Sequence, residues 1–205
     1  AYGIANVPGG LAKDVSEAIQ IAELIGYPVV IKISAEGLLH KSEAGGIKLN
    51  LRNAEELRIA YNEIHSHISQ NYPDARIMGV MVEKMAPKGQ EVIVGMRRDA
   101  TFGPMLMFGM GGVLVEQIKD ISFKVAPLSG EDIDDMLAST IAGKLLAGYR
   151  GAAKGDIAAV KDVIARLSQL GLDFPEIAEV EINPLIVYPE GQGALALDSR
   201  AILKY

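Results

Sequence analysis

At 205 residues, 49% hydrophobic and 22% charged, the chain has the balance of an ordinary globular protein, with room for one substantial domain or two small lobes. A net charge of −6 argues against a surface built for nucleic-acid phosphates, whose affinity comes from clustered Lys and Arg. With no cysteine there is no disulfide framework, no thiolate zinc site and no Cys nucleophile.

No run reaches the roughly 18–20 apolar residues that span a bilayer, and the most apolar stretch, 104–115, is short and interrupted by glycines. The first residues lack a basic region followed by an apolar core, so no signal peptide is expected and the cytoplasm is the default location.

In chain order, Asp14 and Glu17 form a capping-box pattern that opens a helix carrying Ala18, Ile21, Ala22 and Ile25, with Gly26 as its stop. Residues 28–33 are a β-branched run that predicts a buried strand. Ile47, Leu49 and Leu51 alternate as a half-buried strand does. Asn53 and Glu56 open a second helix with Leu57, Ala60, Tyr61, Ile64 and Ile68 on one face, which leaves His65 and His67 outside.

Further strands are predicted at 77–83, 90–97, 105–108, 112–117 and 121–126. Ser129 and Asp132 cap a helix carrying Ile133, Met136, Leu137 and Ile141. Another starts near Asp156, with Val160, Val163, Ile164, Leu167 and Leu170 inward and Gly171 ending it. The last strands fall at 177–187 and 194–198. Strands clustered between helices, many at hairpin spacing, predict an α+β protein of mainly antiparallel sheets, dividing near 84–88.

Four features could carry chemistry. Lys32 interrupts the apolar strand Val29-Val30-Ile31-Lys32-Ile33, and burying an ammonium is costly without an anion. It is either an edge lysine reaching water or a phosphate ligand. The segment His40-Lys41-Ser42-Glu43-Ala44-Gly45-Gly46 joins paired glycines to lysine, a combination that can cradle phosphate or simply make a turn. It does not match the G-x-x-x-x-G-K-[ST] pattern of a P-loop.

The second glycine-rich stretch, Phe108-Gly109-Met110-Gly111-Gly112-Val113, lies between apolar strands and reads as a tight hairpin; no helix follows it, which counts against a dinucleotide fingerprint. Finally, Glu179, Glu181 and Asn183 share a strand face, Pro184 ends the motif, and a short turn at 190–193 brings Asp198, at the end of the next strand, beside Asn183. Such hard oxygen donors suit magnesium, or else form an acidic solvent face.

Taken in order, the segments PVVIKI, LLHKSEAGGIKLNL, VMVEKMAPKGQEVIVGM, FGMGGVLVEQIKDISFKVAPL and VEINPLIV resemble the ATP-grasp subunit of ADP-forming acetyl-CoA synthetases. They are similar, more distantly, to the ATP-grasp lobe of the succinyl-CoA synthetase β subunit. The resemblance covers essentially the whole chain and implies two α+β lobes, about 1–86 and 87–205, that clasp ATP between their sheets.

Carried over by residue, it makes Lys32 the lysine that holds ATP phosphates and Gly45 and Gly46 the loop that closes over them. Glu83 and Met85 match the hinge that reads adenine, and Glu91 a carboxylate of the nucleotide site. Asn183 and Asp198 match the Mg2+ ligands, Glu181 the glutamate that steadies an arriving phosphohistidine, and His40 a second, relaying histidine.

The implied reaction is acyl-CoA + ADP + phosphate ⇌ carboxylic acid + ATP + CoA, by way of an acyl phosphate. A neutral imidazole can take a phosphoryl group covalently, and Lys32, a glycine nest and Mg2+ can neutralise the moving charge.

The implied partners are a small carboxylate, phosphate, CoA and a Rossmann-type CoA-binding part with the main phosphohistidine, so a hetero-oligomer is expected and neither nucleic acid nor membrane is. No G-x-G-x-x-G unit occurs here, and Ala1-Tyr2-Gly3-Ile4 resembles the tail of the family's opening helix. A subunit or excised domain is therefore expected.

Two other readings compete. A carboxylate–amine ligase would share the nucleotide site, but the HKSEAGGIK segment and the lack of a further substrate-binding domain weigh against it. A non-catalytic module of a multidomain acetyltransferase would show degraded site residues, whereas Lys32, Glu91, Glu181, Asn183 and Asp198 are all present.

Overall fold

Two antiparallel sheets, each backed by its own helices, account for most of the chain. The computed structural model describes residues 2–38, 44–112 and 120–204. Within them lie two units: one spans 7–87, and the other joins 88–204 to residues 2–6.

The first unit contains β1 (Gly9–Ala12), α1 (Val15–Ile25), β2 (Val29–Glu36), β3 (Ile47–Leu51), α2 (Ala54–Asn71) and β4 (Arg76–Lys84). Its strand order is β1-β4-β2-β3. The predicted caps set the helix starts: Asp14 accepts from the Ser16 and Glu17 N–H groups and Asn53 from that of Glu56, satisfying donors a helix start leaves bare. Gly26, at φ 80°, stops α1 in a conformation open to glycine.

Val29, Ile31 and Ile33 of β2 and Val80 and Val82 of β4 form one core with Ala18 and Ala22 of α1 and Leu57, Ile64 and Ile68 of α2. Burial of each large aliphatic side chain contributes about 1.5–3 kcal/mol. Side chains alternate along a strand, so Val30 and Lys32 of β2 and Met81 and Glu83 of β4 lie on the opposite face, turned from this helix-backed core.

The second unit holds β5 (Gln90–Asp99), β6 (Gly103–Met110), β7 (Ile121–Val125), α3 (Gly130–Ala138), α4 (Ile141–Leu146), α5 (Ile157–Asp173), β8 (Ile177–Val187), β9 (Ala194–Ala196) and β10 (Ser199–Leu203). The sheet runs β10-β8-β5-β6-β7, with β9 also on β8. Val92, Val94, Met96, Leu106, Phe108, Val180 and Ile182 pack with helix residues such as Met136, Leu146, Val160, Ile164 and Leu167. The face away from that core carries the row Arg200, Glu181, Gly95, Met107 and Phe123, one residue per strand.

Several expectations need correction. The helix expected to run from Ser129 through Ile141 breaks: α3 ends at Ala138, and Thr140 caps a separate α4 by accepting from the Gly143 N–H. Gly171 does not end α5, which continues to Asp173; it is buried where a Cβ would come within 2.9 Å of Pro104. The strand expected at 177–187 forms as β8 and runs through Pro184. Ile182 pairs with Val94 and Leu185 with Val92, so one residue of β8 is extra, and this bulge takes in a proline that has no N–H to give.

Asp198 lies beyond β9 instead of ending it, and β1 and β10 have no counterpart in the sequence reading. All five residues of β10 are exposed, which erases the alternation a strand needs to be seen. The strand expected at 112–117 falls outside the described residues except at Gly112. Residues 2–6 go with the second unit, not with the lobe they open: the Ala196 N–H donates to the Ala5 carbonyl, and Arg166 reaches the Tyr2 carbonyl. No helix among the described residues is long and apolar enough to cross a membrane.

Candidate nucleotide and metal site

In the first unit, β2 and β4 pair so that Lys32 stands opposite Met81 and Val30 opposite Glu83. The Lys32 ammonium therefore reaches Glu83 on the next strand, with Nζ 2.8 Å from Oε2 and side chains only 14% and 16% exposed. The Glu83 carboxylate is the counter-ion that lets a lysine sit in an apolar strand. Its Oε2 is otherwise buried without a hydrogen-bond partner among the described residues.

On the other side of β2, Lys32 pairs with Ile47, and the Ile33 N–H donates to the Gly46 carbonyl at 2.7 Å. Gly45 and Gly46 thus lie at the end of β3 next to Lys32, and Gly45 holds φ 68°, a left-handed conformation. Met85 follows β4, with its N–H given to the Pro28 carbonyl at 3.0 Å. Lys84 donates to the carbonyls of Gly26 and Tyr27, both at 2.9 Å, and pins this corner. The structure brings together Lys32, Gly45, Gly46, Glu83 and Met85 within one unit. His40 lies outside the described residues.

In the second unit, Glu91 is the second residue of β5, on the face away from the helices. The backbone of Gly111 follows closely, its N–H donating to the Glu91 carbonyl at 3.1 Å. The next residue, Gly112, donates its N–H to Asn183 Oδ1 at 2.9 Å. Asn183 in turn donates its own N–H to the Asp198 carbonyl at 3.0 Å, and the Leu197 N–H donates to Pro184. Glu91, Gly112, Asn183 and Asp198 are therefore neighbours drawn from four segments, while Glu181 stands two residues up β8 between Gly95 and Arg200.

The carboxylates of Glu91, Glu181 and Asp198 make no hydrogen bond or ion pair among the described residues, whereas Glu179, two residues from Glu181, is held by Arg200 at 2.7 Å. Glu179 is thereby set apart from the open acids.

A magnesium ion suits this corner. Asn183 Oδ1 has two lone pairs, of which Gly112 takes one, and Asp198 adds a free carboxylate. Mg2+ takes one or two carboxylates and fills its shell with water and phosphate oxygens, so it needs no larger cluster. Among the described residues no group of three or more His, Cys, Asp or Glu could hold a metal by itself, which is not the donor set of a structural zinc site.

The sequence reading took Gly111-Gly112 for a tight hairpin and missed its contact with Asn183. The glycine pair was the signal. A Cβ on Gly111 would lie 2.4 Å from the Val92 backbone, and one on Gly112 would lie 2.0 Å from the Glu91 carboxylate.

Two antiparallel sheets, each backed by helices, are the architecture of the ATP-grasp class. The chain belongs to the ATP-grasp domain family, whose model matches residues 1–203. Within that family it groups with the β subunits of ADP-forming acetate–CoA ligases.

It is 45% identical over 202 residues to the acetate–CoA ligase [ADP-forming] I β subunit of Pyrococcus furiosus, covering 98% of this chain and 86% of that one. It is 46% identical over 203 residues to the acetate–CoA ligase [ADP-forming] I of Archaeoglobus fulgidus, but spans only 29% of that longer polypeptide.

A solved structure of the Ca. Korarchaeum cryptofilum dinucleotide-forming acetyl-coenzyme A synthetase 1 in complex with coenzyme A, Ca-AMPCP and HgCl+ superposes with a TM-score of 0.94 at 46% identity, covering 99% of this chain and 88% of that one. Another structure of that enzyme, TM-score 0.84 and 43% identity over 99% of this chain and 87% of that one, holds coenzyme A and Mg-AMPPCP with its phosphohistidine segment pointing towards the nucleotide-binding site.

Proposed function

We propose that this chain is the nucleotide-handling part of an ADP-forming acyl-CoA ligase, binding ATP or ADP with Mg2+ and exchanging a phosphoryl group with a partner histidine. Two observations support this reading, one in each unit: a cation–glycine corner at Lys32 and Gly45–Gly46, and an oxygen corner at Asn183 and Asp198. Phosphoryl transfer requires this combination, because its catalysis consists of positioning and of neutralising charge on phosphate oxygens.

Lys32 holds phosphate oxygens, with Glu83 as its resting counter-ion. Gly45 and Gly46 offer backbone N–H groups to the phosphates. Glu83 and the chain at Met85 read the adenine edge; the Met85 N–H is already given to Pro28, so its carbonyl is left for the exocyclic amine. Glu91 closes the nucleotide site beside Gly112. Asn183 and Asp198 would hold Mg2+, which when bound bridges phosphate oxygens and offsets their charge.

Glu181, unpaired and flanked by Gly95, accepts a hydrogen bond from the partner's imidazole and keeps it oriented. In the ATP-forming direction the acyl phosphate gives its phosphoryl group to that imidazole and leaves as the carboxylate. ADP then takes the group and returns a neutral histidine, either directly or by way of His40. The partner is a CoA-binding Rossmann-type part, and the assembly is a hetero-oligomer when the two parts are separate chains. The balance is acyl-CoA + ADP + phosphate ⇌ carboxylic acid + ATP + CoA.

Isothermal titration with ATP and Mg2+, in the wild type and in Asp198→Ala, tests this. The wild type should bind, and the variant should lose the Mg2+-dependent share of affinity. A wild type that ignores ATP would leave a non-catalytic module as the reading.

A further inference from the structure

We infer that Gly112 is a positioning residue of the metal corner, acting through the amide of Asn183; this rests on the magnesium role of Asn183 given above. The geometry carries it in three steps. Gly112 lends its N–H to Asn183 at 2.9 Å, and only the oxygen of an amide can accept from an N–H, so this contact decides which end of the side chain is Oδ1. The amide is then fixed with its Oδ1, not its NH2 group, turned to Gly112, and one lone pair of that oxygen stays available. A freely rotating asparagine would present donors to a cation half the time.

The contact also depends on glycine. Gly112 holds φ 70°, and a Cβ there would stand 2.0 Å from Glu91 Oε2. Gly111 has no room either, since a Cβ would lie 2.4 Å from the Val92 carbonyl carbon. The Gly111 N–H holds the Glu91 carbonyl at 3.1 Å while the Gly112 N–H holds Asn183, so two successive donors tie the start of β5 to the bulge of β8. Asn183 sits in that bulge with its own N–H committed to Asp198, so the Gly112 contact sets the remaining freedom, the side-chain torsions. Groups that orient a metal ligand in this way commonly change metal affinity by about 10- to 100-fold.

The test compares ADP affinity in Mn2+ with ADP affinity in EDTA, together with water-proton relaxation by bound Mn2+, on the full chain. Two variants are used: Gly112→Ala, and an ester replacement that exchanges only the Gly112 N–H for oxygen. The ester keeps a residue without Cβ, so it reports even when Gly112→Ala fails to fold. The Mn2+-dependent gain in ADP affinity should fall at least about tenfold in the ester, with affinity in EDTA unchanged. In an Asn183→Ala background the ester should have no further effect.

An unchanged Mn2+ gain in the ester, or an equal loss in Mn2+ and EDTA, overturns the inference. When Asn183→Ala itself keeps the full Mn2+ gain, the magnesium role of Asn183 has failed, and that control separates the two.

Discussion

The Lys32 ammonium and the Glu83 carboxylate meet at 2.8 Å on the sheet face turned from the helices of their unit. Each is a counter-ion of the other on a nearly buried face, so removing either charge weakens the compensation of the one that stays. Lys32→Met and Glu83→Gln should each destabilise the protein by about 1–3 kcal/mol, and the double variant by less than their sum. Urea unfolding of the four proteins measures this. Lys32→Met should also weaken ATP binding at least about tenfold, because a charge-assisted hydrogen bond to phosphate is lost with the ammonium. Unchanged ATP affinity would remove Lys32 from the site.

Glu181→Gln and His40→Ala should separate binding from turnover. Neither residue is proposed to hold the nucleotide, so ATP affinity should stay within about twofold while acyl-CoA formation with the CoA-binding partner falls by about 100-fold or more. Single-turnover phosphorylation of the partner histidine localises the block. Turnover that survives His40→Ala shows direct transfer without a relay.

Asp156 supplies a pH dependence outside the site. Its carboxylate accepts from the N–H groups of Gly193, at 2.8 Å, and Ala159, at 3.0 Å, and these backbone donors hold its pKa below the usual aspartate value. A depressed folded pKa gives stability that is present above the unfolded value of about 3.9 and is lost as pH falls through the folded one. Asp156→Asn should cost about 1–2 kcal/mol at pH 7. It should also flatten the stability loss below about pH 4, read from thermal melts between pH 7 and pH 3.

Gly143 tests the corner between α3 and α4. Alanine is favoured over glycine within a helix by about 1 kcal/mol, so propensity predicts that Gly143→Ala stabilises. The structure predicts the opposite, because a Cβ there would stand 1.9 Å from the Leu137 carbonyl oxygen. A loss of about 2 kcal/mol or more in chemical denaturation is expected.

Much of this was legible in the chain. The caps at Asp14, Asn53 and Ser129 are local hydrogen bonds written in adjacent residues, and each forms as expected. Most strands announce themselves through apolar alternation. What failed had no such local sign: β10 is exposed throughout, Ile141 belongs to a helix that starts only because Thr140 caps it, and Gly171 is a packing contact with Pro104, not a stop.

For the proposed site, the sequence by itself determined the residue types: a cation within an apolar strand, a glycine pair near it, and oxygen donors spaced along β8. Which acids stay open and which are spent was decided only by the tertiary structure. Glu179 and Glu181 read alike along the chain, yet Arg200, which the register sets opposite Glu181, reaches diagonally to Glu179 at 2.7 Å and leaves the Glu181 carboxylate without a partner among the described residues. Lys32 meets Glu83, and Gly112 meets Asn183, across 51 and 71 positions respectively. Local pattern can supply the residue types, but strand pairing and a one-residue bulge between distant segments set the distances on which electrostatics and metal ligation depend.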